Sequence, residues 1–311
     1  MWCDANSIPE EDRAPASTFN ILLFISALTG GYSGDAIGNY VAGVRAWHIL
    51  HRLPWSIDQG QYATILKGAR LLEPDHASKE PRVPCLIEHL HLIHRNLDLS
   101  SPLHAAVWAC TTSLFWGMAR SGELTLPSLK AFKPHLHPDV SCIRPHQTRH
   151  GFEVTVIHLP SSKARKKDNS AGGEDIFWSR QSDSSDPEAA LRNHMLVNAP
   201  VVGEHLFSYT DDKGVRRPLL KKVLLTEIHA AGDRGDLPLR GHSFRIGGTL
   251  ELLLRGVSFE IVKSKGRWAS DAFKAYLRKN CDTMAPYIQA QPAAHEEFLR
   301  WQFLPVPPAR A

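Results

Sequence analysis

The sequence predicts a mainly α-helical protein with a small antiparallel β-sheet, divided into an N-terminal helical domain and a C-terminal α+β domain. Three observations lead to this class. Apolar residues recur with a helix-like period over much of the chain. A few stretches between residues 140 and 178 instead have the composition and alternation of half-buried strands. A run rich in proline and charge at 74–84 separates the two parts.

The composition is that of a globular protein long enough for two domains. The 311 residues are 43% hydrophobic and 22% charged. No apolar run approaches the ~20 residues that cross a bilayer, so no membrane segment is predicted. Because the first ten residues contain Asp4 and Glu10 and no Lys or Arg, no secretory signal peptide is expected. Five scattered cysteines without a C-x-x-C pair favour a reducing compartment.

The N-terminal part is predicted as a tail followed by three helices. Ser17 or Thr18 is a suitable N-cap for a helix that ends near Leu28, before a pair of glycines. The next helix starts at Asp35 and ends before Pro54, and the third covers about 58–72. The predicted divisions of the chain are a tail at 1–16, a helical domain at 17–73, a linker at 74–84 and a second domain at 85–311.

The C-terminal part is predicted to begin with helices, continue with strands and return to helix. The predicted elements are helices at 86–97 and 102–119 and strands at 140–144, 152–158 and 176–178. A basic loop at 160–173 connects the last two strands. Asp186, Pro187 and Glu188 then give an N-cap, a first-turn proline and a first-turn acid. The region after Arg240 is helical again.

Two short motifs stand out, although each is weak by itself. The first is R-x-x-E at 120–123 and the second is H-x-x-R at 242–245. The same patterns recur at 70–73 and 146–149, so the information lies in order and setting. The second motif lies within the longer run GHSFRIGG at 241–248, and the run GRWASDAFKAY follows at 266–276.

In this order the chain resembles the tyrosine recombinases, the phage-integrase-like enzymes that break and rejoin DNA. In particular, it resembles the eukaryotic, fungal-type members linked to mobile elements. The resemblance covers nearly the whole chain. It implies a SAM-like core-binding domain at 17–73 and an α+β tyrosine recombinase catalytic domain at 85–311. Such core-binding domains have four helices or more, so the three predicted helices suggest a domain that lacks its first helix.

The resemblance implies site-specific DNA cleavage and rejoining through a 3′-phosphotyrosyl intermediate, with Tyr276 as the nucleophile. Arg120 and Arg245 are expected to hold the phosphate oxygens, because guanidinium groups bind them bidentately and keep their charge. His242 is expected to accept or share the proton of the tyrosine. Lys163 is expected to protonate the leaving 5′-oxygen as general acid.

The remaining site residues follow from the same resemblance. Trp268 is expected to donate its indole N–H to the phosphate, and Glu123 to support the arrangement. The interval from Trp268 to Tyr276 is one residue shorter than is usual in the family, so Arg267 is an alternative phosphate donor. The expected DNA-binding residues of the basic loop are Arg165, Lys166 and Lys167. Lys166 and Lys167 are also alternatives to Lys163 as the general acid.

The expected partner is double-stranded DNA, bound by a homodimer or homotetramer, and no membrane is expected. No metal or cofactor is expected, because arginines supply the positive charge and the 17 histidines lack zinc-type spacing with paired cysteines. Nuclear localisation follows only from the presumed substrate and the resemblance. One alternative is a domesticated or decayed DNA-binding protein with this fold and no strand transfer. Another is an unrelated helix-turn-helix regulator that uses the helices around Gly256.

Overall fold

A computed structural model provides the structure of the protein. It describes residues 2–77, 82–161, 173–232 and 238–269. The chain forms two compact units, Met1–Pro81 and Arg82–Ala311. We describe each unit by itself.

Unit 1 is a helical unit with its own small core. Its described helices are α1 (Trp2–Ala5), α2 (Thr18–Leu28), α3 (Gly34–Leu50) and α4 (Gln59–Leu71). Of the two N-cap candidates, Ser17 caps α2, because its side chain accepts the N–H of Asn20, and Thr18 is the first residue of the helix. Residues 2–16, predicted as a tail, instead contain α1, and Trp2 packs edge-on against Phe24 at 5.1 Å between ring centroids. The core is formed by Ala16, Ile21, Ile25, Ile37, Val41, Ile57, Leu66 and Ala69.

Unit 2 is built around one buried helix. Its helices are α5 (Ile87–Asn96), α6 (Pro102–Trp116), α7 (Ser121–Leu124), α8 (Pro187–Asn198), α9 (Lys221–Ala231), α10 (Ser243–Leu254) and α11 (Phe259–Lys265) within the described residues. Every residue from Ala105 to Trp116 is buried, so α6 is the centre of the core. The predicted start of α8 is confirmed, because the Asp186 carboxylate accepts the N–H of Glu188.

The sheet of unit 2 is a three-stranded antiparallel meander. It consists of β1 (Ile143–Gln147), β2 (Glu153–Leu159) and β3 (Glu174–Trp178), in the order β1-β2-β3. β1 begins later than predicted, because 140–142 form a 3₁₀ turn whose start is held by the Asp139 carboxylate. A second pair, β4 (Ser208–Thr210) and β5 (Arg216–Pro218), was not predicted.

The two helices at the end of the described chain meet at a glycine turn. Gly256 has a φ of +79°, a conformation that favours glycine, and Ser258 is the N-cap of α11. The two helices predicted around Gly256 are therefore α10 and α11. Within the described ranges, each helix is too short or too polar to cross a membrane.

Candidate functional site

The first predicted motif lies where the buried helix α6 ends. Met118 turns the chain with a φ of +48°, and Arg120 becomes the N-cap residue of α7. The Glu123 carboxylate accepts the backbone N–H of Arg120 and one of its guanidinium N–H groups, each at 2.8 Å. This pair orients the Arg120 side chain, which remains 26% exposed and can be reached by a ligand.

The second motif lies at the start of α10, which packs closely against α6. A Cβ added at Gly247 would collide with the carbonyl oxygen of Cys85, and one at Gly248 would collide with the carbonyl oxygen of Phe115. Because these two residues have no side chain, this part of α10 lies directly against the backbone of its neighbours. The two glycines that follow Arg245 therefore fix the place of its side chain.

Arg245 is completely buried. Its guanidinium donates to the carbonyl oxygen of Met118 at 2.7 Å and to that of Gly266. The Trp268 ring lies over the guanidinium, with its centroid 4.4 Å from Cζ, an arrangement that stabilises a cation. The motif arginine thus reaches the Arg120 loop, but its guanidinium must be uncovered before it can contact a phosphate.

His242 lies among cations at the N-terminus of α10. Burial is the main cause that lowers the pKa of His242, to about 4, and the positive charges of Arg82, Arg245, Arg120 and Lys221 lower it further. The imidazole is therefore neutral near pH 7. A neutral imidazole can accept a proton, which is the role expected of this residue.

Two of these cations, Arg82 and Lys221, were not predicted from the sequence. Lys221 is the first residue of α9, and its Cε would lie 2.9 Å from a Cβ added at Gly241. The same hypothetical Cβ would meet Ser121, the residue after Arg120. The glycine before His242 therefore brings the starts of α7 and α9 together. Only the Lys221–Lys222 pair at a helix start gave a hint of this in the sequence.

Residues 266–268 form a tight corner after α11. The Trp268 ring covers Gly266 so closely that any side chain there would overlap it. Arg267 has a φ of +57°, which is unusual for a residue with a side chain. Its guanidinium donates to Glu123 at 2.7 Å and to Glu174 at 3.3 Å.

Glu123 is the shared carboxylate of this site. Burial alone would raise its pKa, but the charge and hydrogen bond of Arg267, together with the two hydrogen bonds from Arg120, lower the pKa below its usual value. Glu123 therefore stays ionised near neutral pH and holds both arginines in place. This agrees with the supporting role expected of it, which remains a prediction.

The other expected site residues lie outside the described residues. These are Lys163, Arg165, Lys166, Lys167 and Tyr276. Their roles as general acid, DNA contacts and nucleophile remain predictions, as does the choice between Trp268 and Arg267 as phosphate donor. In the part of the chain that the structure describes, no three His, Cys, Asp or Glu side chains are grouped to hold a metal ion.

Comparisons with known proteins identify the fold. No protein-family model matches the sequence, and no curated protein does. Among solved structures, the chain is similar to the XerH site-specific recombinase bound to palindromic difH substrate in a post-cleavage complex. The identity is 12%, the alignment covers 97% of this chain and 77% of that chain, and the TM-score is 0.53.

Two further structures show weaker similarity. The XerH recombinase in a pre-cleavage complex with difH is 13% identical, with 85% of this chain and 68% of that chain covered and a TM-score of 0.48. The XerA recombinase is 15% identical, with 88% of each chain covered and a TM-score of 0.45. The post-cleavage XerH structure is sufficient for the conclusion that this chain has the tyrosine recombinase fold. The predicted fold class, mainly α with a small antiparallel sheet, is therefore confirmed.

Proposed function

We propose that this protein is a site-specific DNA recombinase that cleaves and rejoins strands through a covalent phosphotyrosyl intermediate. The observation that carries the proposal is the gathering of Arg120, His242 and Arg245 at one site in a chain with this fold. Arg245 binds the carbonyl oxygen of Met118, 127 residues away, and the cations act together on His242. Converging cations are what phosphodiester cleavage requires, because negative charge grows on the non-bridging oxygens in the transition state.

In the proposed reaction, one phosphorus–oxygen bond forms as another breaks, and one proton is transferred at each of the two oxygens. Arg120 binds the non-bridging oxygens while the Tyr276 hydroxyl attacks the phosphorus. The phosphotyrosyl bond forms as the bond to the 5′-oxygen breaks. His242 receives the phenol proton, and Lys163 gives a proton to the leaving 5′-oxygen. Rejoining runs the same steps in reverse with another 5′-hydroxyl.

The burial of Arg245 adds one requirement to this scheme. Its guanidinium donates to two carbonyl oxygens and is covered by the Trp268 ring. For Arg245 to bind phosphate, this cover must open when DNA binds. Displacement of the ring would also release Trp268 to donate its indole N–H, as the resemblance implies.

The test is a suicide-substrate assay. Nicked duplexes from the locus that encodes the chain are incubated with protein and separated on a denaturing gel. We expect a protease-sensitive shifted band that is absent with Tyr276→Phe. Tyr40→Phe, which changes a half-exposed tyrosine of α3, is the matched control and should leave the band intact. An unchanged band in Tyr276→Phe contradicts the assignment of the nucleophile.

A second function is favoured by the complete burial of Arg245. A decayed recombinase that binds DNA without turnover has no need for an accessible second arginine. This alternative predicts salt-dependent binding to the same duplexes but no covalent band with any of them. The assay therefore separates the two functions directly.

The proposal extends to the partner, the oligomeric state and the localisation of the protein. The partner is double-stranded DNA, held by a homodimer or homotetramer, and the protein acts in the nucleus on a fungal-type mobile element. Mass photometry of the protein with a duplex that carries its site should show two or four chains per DNA. A single chain on every duplex would contradict this assembly.

A further inference from the structure

Arg267 is held in an unusual way. Its backbone has a φ of +57°, which favours glycine, yet the residue is an arginine whose side chain is only 8% exposed. Lys265, two residues earlier, donates to the carbonyl oxygen of Phe177 in β3 at 2.5 Å. The corner that carries Arg267 is therefore tied to the sheet, and it directs a cation into the interior.

The Arg267 guanidinium joins two distant parts of the chain. One terminal nitrogen donates to Glu123, 144 residues away, and the other to Glu174, 93 residues away. The side chains of both carboxylates are largely buried, 6% and 13% exposed. With Arg120 they form a continuous series of alternating charge, Arg120–Glu123–Arg267–Glu174. Buried charges arranged in this way fix geometry, because loss of one leaves its partners uncompensated.

Glu174 lies at the base of the β2–β3 hairpin. It is the first residue of β3, and a Cβ added to Gly173 before it would collide with the carbonyl oxygen of Leu159, the last residue of β2. His158 Nδ1 lies 2.9 Å from the Asp175 carboxylate across the same pair of strands. The base of the hairpin is therefore closely packed, and a displacement of Glu174 must also displace Gly173 from its contact with Leu159.

We propose that Arg267 is a positioning residue that couples the base of the β2–β3 hairpin, at Glu174, to the Arg120 loop, at Glu123. This inference rests on the proposed function. The segment between β2 and β3 contains Lys163, the proposed general acid. The coupling sets the hairpin against the phosphate-binding arginine, so it affects the rate of strand cleavage and leaves DNA affinity nearly unchanged.

The competing role for Arg267 is direct contact with a phosphate. Arg267 lines an open cleft of about 470 Å³ beside Glu174, so a ligand has access to this region. The two roles differ in what they affect. A phosphate contact contributes to affinity, whereas a positioning residue acts on the chemical step in the bound complex.

The experiment uses Arg267→Lys and Glu174→Gln in the full-length protein. Lysine keeps the charge that the buried carboxylates need, but it lacks the planar fork that holds both of them. The control is Arg216→Lys, which changes an Arg–Glu pair outside the site, Arg216 with Glu204 at 2.8 Å, whose side chains are 32% and 33% exposed. For each variant, the Kd for a suicide duplex and the rate of adduct formation at saturating duplex are measured.

We expect the saturating rate to fall roughly tenfold or more in Arg267→Lys and in Glu174→Gln, with Kd within about twofold of the wild type. The double variant should be no slower than the slower single variant, because both changes break the same link. Arg216→Lys should match the wild type. An unchanged saturating rate in Arg267→Lys overturns the proposal. If the rate is unchanged and the Kd of this variant is higher than that of the wild type, Arg267 is a phosphate contact. A normal rate in Glu174→Gln also overturns it.

Amide hydrogen exchange of residues 173–178 separates this inference from the proposed function. We expect exchange there to be roughly tenfold faster in Arg267→Lys and Glu174→Gln than in the wild type or Arg216→Lys, because the base of the hairpin loses its tie. If the wild type forms no adduct, the proposed function fails, and faster exchange still supports the link. Unchanged exchange in both variants overturns the link whatever the adduct assay shows.

Discussion

At the scale of single residues, the charge state of His242 depends on what occupies the site. In the free protein, burial and the surrounding cations keep its pKa at about 4. In the proposed reaction, a bound phosphodiester would bring negative charge next to Arg120 and Lys221. This charge offsets their repulsion of a protonated imidazole. In the proposed reaction, the residue expected to take the tyrosine proton would therefore become a better base when DNA is bound.

We predict that the pKa of His242 rises from about 4 when the protein binds a short duplex. NMR of histidine-labelled protein measures it, with the signal assigned by its absence in His242→Gln. Because the bound form then holds more protons than the free form, duplex affinity should increase as pH falls from 6.5 towards 4. His242→Gln should weaken this dependence, and His146→Gln, an exposed histidine of β1, should not. A pKa that stays at about 4 in the complex contradicts the argument.

Only some of the site could be predicted from single residues. Arg120, Glu123, His242 and Arg245 belong to local motifs, and the structure brings them into one region. The bridge from Arg267 to Glu174 has no sequence signature, because its partners are 93 residues apart and meet only through the fold. The cover over Arg245 escaped prediction for the same reason.

At the scale of elements, two glycines position the second motif. Gly247 and Gly248 allow α10 to lie directly on the backbone of Cys85 and Phe115. The sequence shows these glycines next to the motif arginine but not the surface that they approach. Their function is close approach, since neither has a positive φ.

Gly248→Ala should therefore destabilise the protein, by about 1–3 kcal/mol, because its methyl group collides with a backbone carbonyl that cannot easily move away. Urea denaturation followed by tryptophan fluorescence measures the change. The matched control is Gly122→Ala in α7, where a Cβ meets no atom within 4 Å, and a change of no more than about 0.5 kcal/mol is expected. Equal stability of Gly248→Ala and the wild type would show that α10 can shift.

Elements with strong local signals were predicted, and those without them were missed. Ser17 and Asp186 mark helix starts because their side chains bind nearby backbone N–H groups, which is a local interaction. β4 and β5 have three residues each, too few to show a periodic pattern. The packing of residues 2–16 depends on contacts such as that of Trp2 with Phe24, which no local sequence pattern shows.

At the scale of the whole molecule, positive charge is concentrated in the second part of the chain. Residues 1–84 contain 7 basic and 9 acidic side chains, and residues 85–311 contain 29 and 23. The excess is modest, so net charge alone gives little attraction to DNA. The cations around His242 are locally dense, and in the proposed function they are the focus for phosphate. The proposed affinity for DNA therefore depends on where the charges lie.

This localisation predicts how salt should weaken DNA binding. Each phosphate that a cation neutralises contributes about −0.9 to the slope of log affinity against log salt. Lys221 is exposed and lies beside Gly241 in the site, so Lys221→Ala should make the slope shallower by about one and weaken binding similarly to all duplexes. Lys213→Ala, an exposed lysine between β4 and β5 and outside this group of cations, is the control and should leave the slope unchanged.

Fluorescence anisotropy with one duplex at several salt concentrations gives the slope for the wild type and both variants. Each variant has one positive charge fewer than the wild type, so the net charge of the molecule changes equally in the two variants. Equal slopes for Lys221→Ala and the wild type would exclude Lys221 from the phosphate contacts. An equal reduction in both variants would mean that overall charge drives binding, and the dense cations around His242 would then have no special part in it.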